Sequence, residues 1–218
     1  MQEQQLVNVY DHFRASVHWP YLAAAMRGLV RAYRTAADVI EEHAPDREGL
    51  EALPHFKRAL VDQMLRFEAK KFPNHVRAES VPNSVGNSFH TEVYAGGFTL
   101  TAHYIATSAG GARSAKYREE LADNSAHQLE LFGPPQIPPD AELYGHILHG
   151  SDGRNQGRVD YVYVKFPLPG TTGYASVWVD LIAEFPEIFG RSSSDVSHIA
   201  DDAVPALLPQ QTVGNTSA

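Results

Sequence analysis

The sequence predicts an α+β protein, with an N-terminal helical hairpin packed on a mainly antiparallel β-sheet and a disordered C-terminal tail. Three observations predict it. Across residues 1–77 apolar side chains recur at three- and four-residue steps, the period of one helix face. After residue 80 they alternate, as in a strand with one buried face. From Gly190 the chain turns Ser-rich and then mixed, with too little apolar content to offset the entropy of ordering it. Residues 1–189 are therefore read as one domain, 1–77 helical and 78–189 mainly β, with 190–218 as the tail. A chain of 218 residues is long enough to bury a core without a covalent staple.

The helical half divides at its prolines. Leu6, Val9, Tyr10, Phe13 and Val17 predict a short helix over 4–18, interrupted at Trp19-Pro20 because proline disfavours the α-region in the residue before it. Leu22, Met26, Leu29, Tyr33, Ala36 and Ile40 mark the inner stripe of a longer helix running to Glu42. Ala44-Pro45-Asp46 is a turn, and Asp46 is placed to cap the next helix. That helix spans Glu48 to Lys71, with Leu53, Phe56, Leu60, Met64 and Phe67 on one face. Pro54 suggests that its regular part begins there, and Phe72-Pro73 stops it.

In the β half, Asn87–Ala95 and Phe98–Thr107 alternate around Gly96-Gly97. Two glycines supply the positive φ that a type I′ hairpin turn requires. Ser108–Ala112 is a loop, Ser114–Leu129 a helix, and Phe132–Asp140 an extended proline-rich connector. Three strands follow, over Glu142–His149, Arg158–Phe166 and Tyr174–Glu184.

Composition narrows the function classes. There are no cysteines, which excludes disulfides, thiolate nucleophiles and cysteine-ligated metal centres. The Met1-Gln-Glu-Gln-Gln start lacks the basic flank and apolar run of a signal peptide. Arg27, Arg31 and Arg34 interrupt the apolar stretch from Tyr21 to Ile40, so no membrane span is expected and a cytoplasmic location is. Net charge is −8, divided unevenly: residues 1–77 carry 11 basic and 10 acidic groups, residues 78–218 carry 7 and 16. Direct nucleic-acid binding is expected only through the helical part, where Arg27, Arg31, Arg34, Lys57, Arg58, Lys70 and Lys71 lie.

The Gly-Gly turn also sets a register. His90 is expected opposite His103, Glu92 opposite Thr101 and Tyr94 opposite Thr99, all on one polar side of the hairpin. His90, Glu92 and His103 are thus the candidate catalytic residues, as a base with its orienting carboxylate. The same three are candidate ligands for a divalent metal if a cofactor is used; otherwise no cofactor is implied. The bland alternative is the wet face of an antiparallel sheet. For the next hairpin, face matching puts Glu142 opposite Lys165, Tyr144 opposite Tyr163 and His146 opposite Tyr161. Tyr144, His146, Tyr161 and Tyr163 then form a face able to stack a planar ligand or a partner, unless the N-terminal helices cover it. His146 and His149 point to opposite faces of their strand and make a poor chelate. Asp180 shares a face with Trp178 and joins the His90/Glu92 side only if its strand lies near the first hairpin. No P-loop, dinucleotide fingerprint, zinc-protease motif or nucleophile elbow is present.

Leu53–Leu65, Phe89-His90-Thr91-Glu92 with Gly96-Gly97-Phe98, Leu131-Phe132-Gly133 and Leu143–Gly150 resemble segments of uncharacterised bacterial proteins. Those proteins are encoded beside regulators that join a helix-turn-helix to an ImmA-like domain, in toxin–antitoxin-like pairs. The resemblance covers about residues 15–185 and implies an operon-encoded protein partner. The leading expectation is therefore a regulatory or interaction protein of such a pair or of a mobile element. The alternative is a toxin or metal-assisted hydrolase or nuclease working through His90, Glu92 and His103.

Overall fold

The computed structural model describes residues 7–83, 86, 88–123, 136–137, 142–152 and 156–190. In chain order the elements are β1 (Val7–Asn8), α1 (Val9–Ser16), α2 (Trp19–His43), α3 (Arg47–Ala69), β2 (Val76–Pro82), β3 (Phe89–Ala95), β4 (Phe98–Tyr104), α4 (Lys116–Asp123), β5 (Gln136–Ile137), β6 (Leu143–Gly150), β7 (Tyr161–Pro167), β8 (Tyr174–Asp180) and α5 (Leu181–Glu184). Six strands form one sheet in the order β2-β3-β4-β6-β7-β8, antiparallel throughout except for the parallel β4–β6 pair. The fold is α+β, with N-terminal helices on a mainly antiparallel sheet. The tail expected from 190 lies, but for Gly190, outside the described residues.

Local signals set the helix ends. The His18 side chain accepts from the Tyr21 N–H at 3.3 Å and caps α2, whose first turn takes Pro20 without losing a helical hydrogen bond. Asp46 Oδ1 accepts from the Gly49 N–H at 3.0 Å and caps α3. The α2 stripe Leu22, Met26, Leu29, Tyr33 and Ala36 is buried, and Gly28 lets α3 come close, since a Cβ there would sit 3.1 Å from Met64 Cβ.

Two expectations about α3 are corrected. The helix runs through Pro54, whose missing N–H would have bonded the carbonyl of Leu50, an exposed residue. Its inner stripe is Leu53, Lys57, Val61, Leu65 and Ala69, while Phe56, Leu60 and Met64 are half-buried and Phe67 is exposed. Phe56, Leu60, Met64 and Phe67 also repeat at helical spacing, slightly round the cylinder, so the sequence offers two apolar stripes. Lys57, counted above toward a basic surface, is consequently buried.

The sheet presents Val93, Ala95, Phe98, Leu100, Ala102, Leu143, Ile147, Val162, Val164 and Phe166 to α1–α3, and these make the main core. At the β3–β4 turn Gly96 and Gly97 have φ 57° and 81°. Gly96 also abuts the end of α1, where a Cβ would fall 2.0 Å from the Ser16 carbonyl oxygen. Strand β2 is an addition to the expected set. It is an edge strand with exposed Arg77 and Glu79, so its alternation is weak.

The β6–β7 register differs from the expected one by four residues. His146 lies opposite Lys165 and Leu148 opposite Tyr163. The loop is closed by Asp160, whose N–H donates to the Gly150 carbonyl at 3.0 Å and whose carboxylate accepts from the Asp152 N–H at 2.8 Å. An even shift keeps every side chain on its expected face. Strand β8 ends at Asp180, which caps α5 by accepting from the N–H groups of Ile182 and Ala183. β8 is four places from β3 in the sheet, so Asp180 does not join His90 and Glu92.

Candidate functional site

The site begins where the sheet divides. Strands β2 and β3 pair as far as Pro82 and Phe89, and β4 and β6 pair as far as Tyr104 and His149, but the β3–β4 ladder ends at Glu92 opposite Thr101. Beyond that pair β3 stays with β2 and β4 stays with β6, so the sheet forks. The expected pairs Glu92–Thr101 and Tyr94–Thr99 form; the expected His90–His103 pair falls in the fork and does not. Helix α3 reaches the fork from one side. Arg58 Nη2 donates to the Phe89 carbonyl at 3.0 Å, Arg66 Nη1 donates to Thr91 Oγ1, and Thr91 Oγ1 donates to the Asp62 carbonyl at 3.2 Å. Helix α4 closes the other side, with the Tyr117 ring stacked on His90 at 3.8 Å and Arg118 Nη1 donating to His103 Nδ1 at 3.0 Å.

His90 and Glu92 form a dyad. The carboxylate only accepts, so His90 Nε2–H donates to Glu92 Oε1 at 2.9 Å, and the Tyr94 hydroxyl donates to Oε2 at 2.5 Å. With Nε2 committed to Glu92, Nδ1 is the ring nitrogen left to face a ligand. That nitrogen is buried and has no partner. Tyr117 covers the flat of the ring and leaves the in-plane direction at Nδ1 unengaged.

Beside the dyad lies the Asp62 carboxyl, which is buried, with Oδ1 unpartnered. Burial pushes the Asp62 carboxyl up to about 6, against the pull of Arg58, Arg66 and the bonds from Thr91. A third unsatisfied buried atom, Arg118 Nε, belongs to the same cluster. Three of the five unsatisfied buried side-chain atoms among the described residues thus lie in groups that surround the fork. Such atoms are uncommon in folded proteins because each costs about 1–3 kcal/mol.

A second network runs along the same face of the sheet. Arg118 can only donate, so His103 accepts at Nδ1 and donates from Nε2 to Thr101 Oγ1 at 2.7 Å, and the Thr101 hydroxyl donates to the Tyr144 hydroxyl at 2.7 Å. His146 links the Tyr144 hydroxyl, at 3.1 Å, to the Tyr174 hydroxyl, at 3.0 Å, and Tyr174 also accepts from the Ala112 N–H. Burial first holds both imidazoles neutral, aided at His103 by the neighbouring His146 and then by Arg118, and at His146 by Arg118: His103 is driven well below its ordinary range and His146 down to about 3. A cleft of about 50 Å³ between α4 and the β7–β8 turn reaches Arg118, His146 and Tyr174.

The structure therefore brings His90 and Glu92 together and places His103 close by, in the neighbouring network. The expected three-ligand metal set does not form. Among the described residues no three His, Cys, Asp or Glu side chains converge to hold an ion, and the Arg118 guanidinium on His103 opposes a cation. The expected binding face of Tyr144, His146, Tyr161 and Tyr163 is filled by the chain itself. It is covered by α4, Ala112 and Tyr174 rather than by the N-terminal helices, and Tyr161 donates to the Ile105 carbonyl at 2.8 Å. Sequence reasoning missed Arg58, Asp62, Arg66, Thr101, Tyr117, Arg118 and Tyr174. One signal was available for Asp62: it follows Val61 on the inner side of an amphipathic helix, where a carboxylate is out of place.

Comparison of the chain with protein-family models, with curated proteins and with solved structures finds no match.

Proposed function

We propose that the protein is an acid–base enzyme of the hydrolase class, with its working centre in the fork of the sheet and a cytoplasmic site of action. One observation carries this reading: His90 Nδ1 is buried with no partner, on a ring oriented from behind by a carboxylate. That is the arrangement of a general base, one nitrogen fixing the ring and the other directed at substrate. Glu92 is a positioning residue, and Tyr94 holds it in turn. Asp62, whose carboxyl is half protonated near pH 6, is the acid for the leaving group. Arg118 supplies positive charge for developing negative charge. The base needs no metal to be competent.

A toxin of this class slows growth when expressed. Expression of the wild type should slow growth, and His90→Ala and Glu92→Ala should each relieve it at equal protein levels. If both variants behave as the wild type, the centre lies elsewhere.

A second reading, a regulatory or interaction role in a toxin–antitoxin-like pair, is supported by a separate feature. The outer ends of α2 and α3 leave an open apolar cleft of about 350 Å³ between Val39, Ile40, Ala52, Phe56 and Ala59, with Leu50 55% exposed nearby. Its occupant on this reading is an apolar segment of the operon-encoded partner, which would neutralise the enzyme. Co-purification of that partner with the wild type, and its loss with Phe56→Asp, is the expected outcome. Equal recovery with both forms removes this role from the cleft.

A further inference from the structure

Three half-buried guanidiniums border the fork, from Arg58 and Arg66 on α3 and Arg118 on α4. Among the described residues none has a carboxylate within ion-pairing distance; the same is true of Arg27, Arg34 and Arg113, but those are exposed to solvent, and Arg14, Arg31, Arg47, Arg77 and Arg158 are each paired. The carboxyls inside the fork do not balance them. Glu92 is occupied by His90 and Tyr94. Asp62 lies one turn from Arg58 and one turn from Arg66 along the helix, yet keeps Oδ1 unpartnered. Excess positive charge, grouped around a free base and short of acceptors, calls for an anion.

We propose that the ligand of the fork is the phosphate ester of a small molecule, its phosphoryl oxygens held by Arg58 and Arg118 in front of His90. Arg66 sits with Thr91 on the helix-facing side of β3 and stays outside this pair. The inference rests on the acid–base reading for its chemistry, and on the arginines alone for its binding. Guanidinium groups present paired donors that match the oxygens of a phosphoryl group, and two of them on separate helices can clasp a tetrahedral anion between them. A small molecule is favoured over a nucleic acid because the chain as a whole carries a net charge of −8, which repels a polyanion. In the reaction His90 Nδ1 takes a proton from water as the water oxygen bonds to phosphorus. The ester P–O bond breaks, and the departing oxygen takes the Asp62 proton. Inorganic phosphate and an alcohol leave, and His90 returns its proton to Asp62 through solvent.

The test titrates the full chain with inorganic phosphate, adenosine monophosphate, acetate and a short single-stranded RNA, following the melting temperature and the heat of binding. Phosphate and the nucleotide should raise the melting temperature, as ligands of the native state do, and acetate should not. Arg58→Gln and Arg118→Gln, on separate helices, should each weaken phosphate binding by about tenfold or more with the fold unchanged by circular dichroism. His90→Ala should bind phosphate as the wild type does and should lose hydrolysis of p-nitrophenyl phosphate. No stabilisation by phosphate, or undiminished binding in both arginine variants, overturns the inference. RNA binding tighter than the nucleotide overturns its small-molecule part. If phosphate binds through the arginines while His90→Ala still hydrolyses the ester, the acid–base reading falls and the binding site stands.

Discussion

Asp62→Asn should stabilise the protein at neutral pH and weaken it as an enzyme. Asp62 is 7% exposed, its Oδ1 has no partner, and burial holds its carboxyl at about 6 instead of 3.8. At about 1.4 kcal/mol per pH unit, keeping it ionised in the fold costs about 3 kcal/mol above pH 6. The sign follows from proton uptake. Between pH 3.8 and 6 the folded chain binds more protons here than the unfolded chain, so this group's destabilisation grows as pH rises through that window and is complete above it. The amide carries no charge and escapes the cost. In urea titrations at about pH 7.5 Asp62→Asn should exceed the wild type by up to about 3 kcal/mol, and the gap should close toward about pH 4. For a chain of this size that corresponds to about 6–12 °C in melting temperature. Parallel stability profiles across the window, or a variant less stable at every pH, would refute the view that an uncompensated carboxyl is held in the fork. The trade of stability for a poised group is characteristic of working sites.

Lys57 offers the opposite sign. It is fully buried, held by Gln156 Oε1 at 3.1 Å, Ser151 Oγ at 3.4 Å and the face of Tyr33, and burial lowers its amine to about 8. Its folded form loses a proton before its unfolded form does. Wild-type stability should therefore rise relative to Lys57→Met between about pH 8 and pH 10.5, in paired urea titrations, and a flat difference would refute the shift. Gly96→Ala should cost about 2 kcal/mol or more, because it puts a side chain at positive φ and against the Ser16 carbonyl; thermal melting reads this directly, and a neutral effect would contradict the α1–turn contact. Leu100→Ala, in the centre of the core, should cost about 2–5 kcal/mol without affecting phosphate binding, which separates general destabilisation from loss of the site.

Much of the fold could be read from residues that act locally. Gly96-Gly97 announced the β3–β4 hairpin and the Glu92–Thr101 pairing, Asp46 announced the cap of α3, and alternation assigned the faces of β3, β4, β6 and β7. What depended on tertiary competition could not be read. The β6–β7 register turned on Asp160 closing the loop, and either register satisfies the same alternation. The inner stripe of α3 had two apolar solutions, and only docking against the sheet chose the one that buries Lys57 and places Asp62 at the fork. Within the site, His90 and Glu92 were visible because they stand two apart on one strand. Their setting was not, since a ladder that stops at Glu92–Thr101 leaves no mark in a local pattern. Tyr117 and Arg118 come from a polar helix whose place over the sheet depends on the parallel β4–β6 connection.

The most direct test is the protonation pattern of the His90 ring, observed by long-range ¹H–¹⁵N correlation in the folded protein. The expected result is a proton on Nε2 and a bare Nδ1, with that preference lost in Glu92→Gln. A proton found on Nδ1 in the wild type would remove the base on which the proposed chemistry rests.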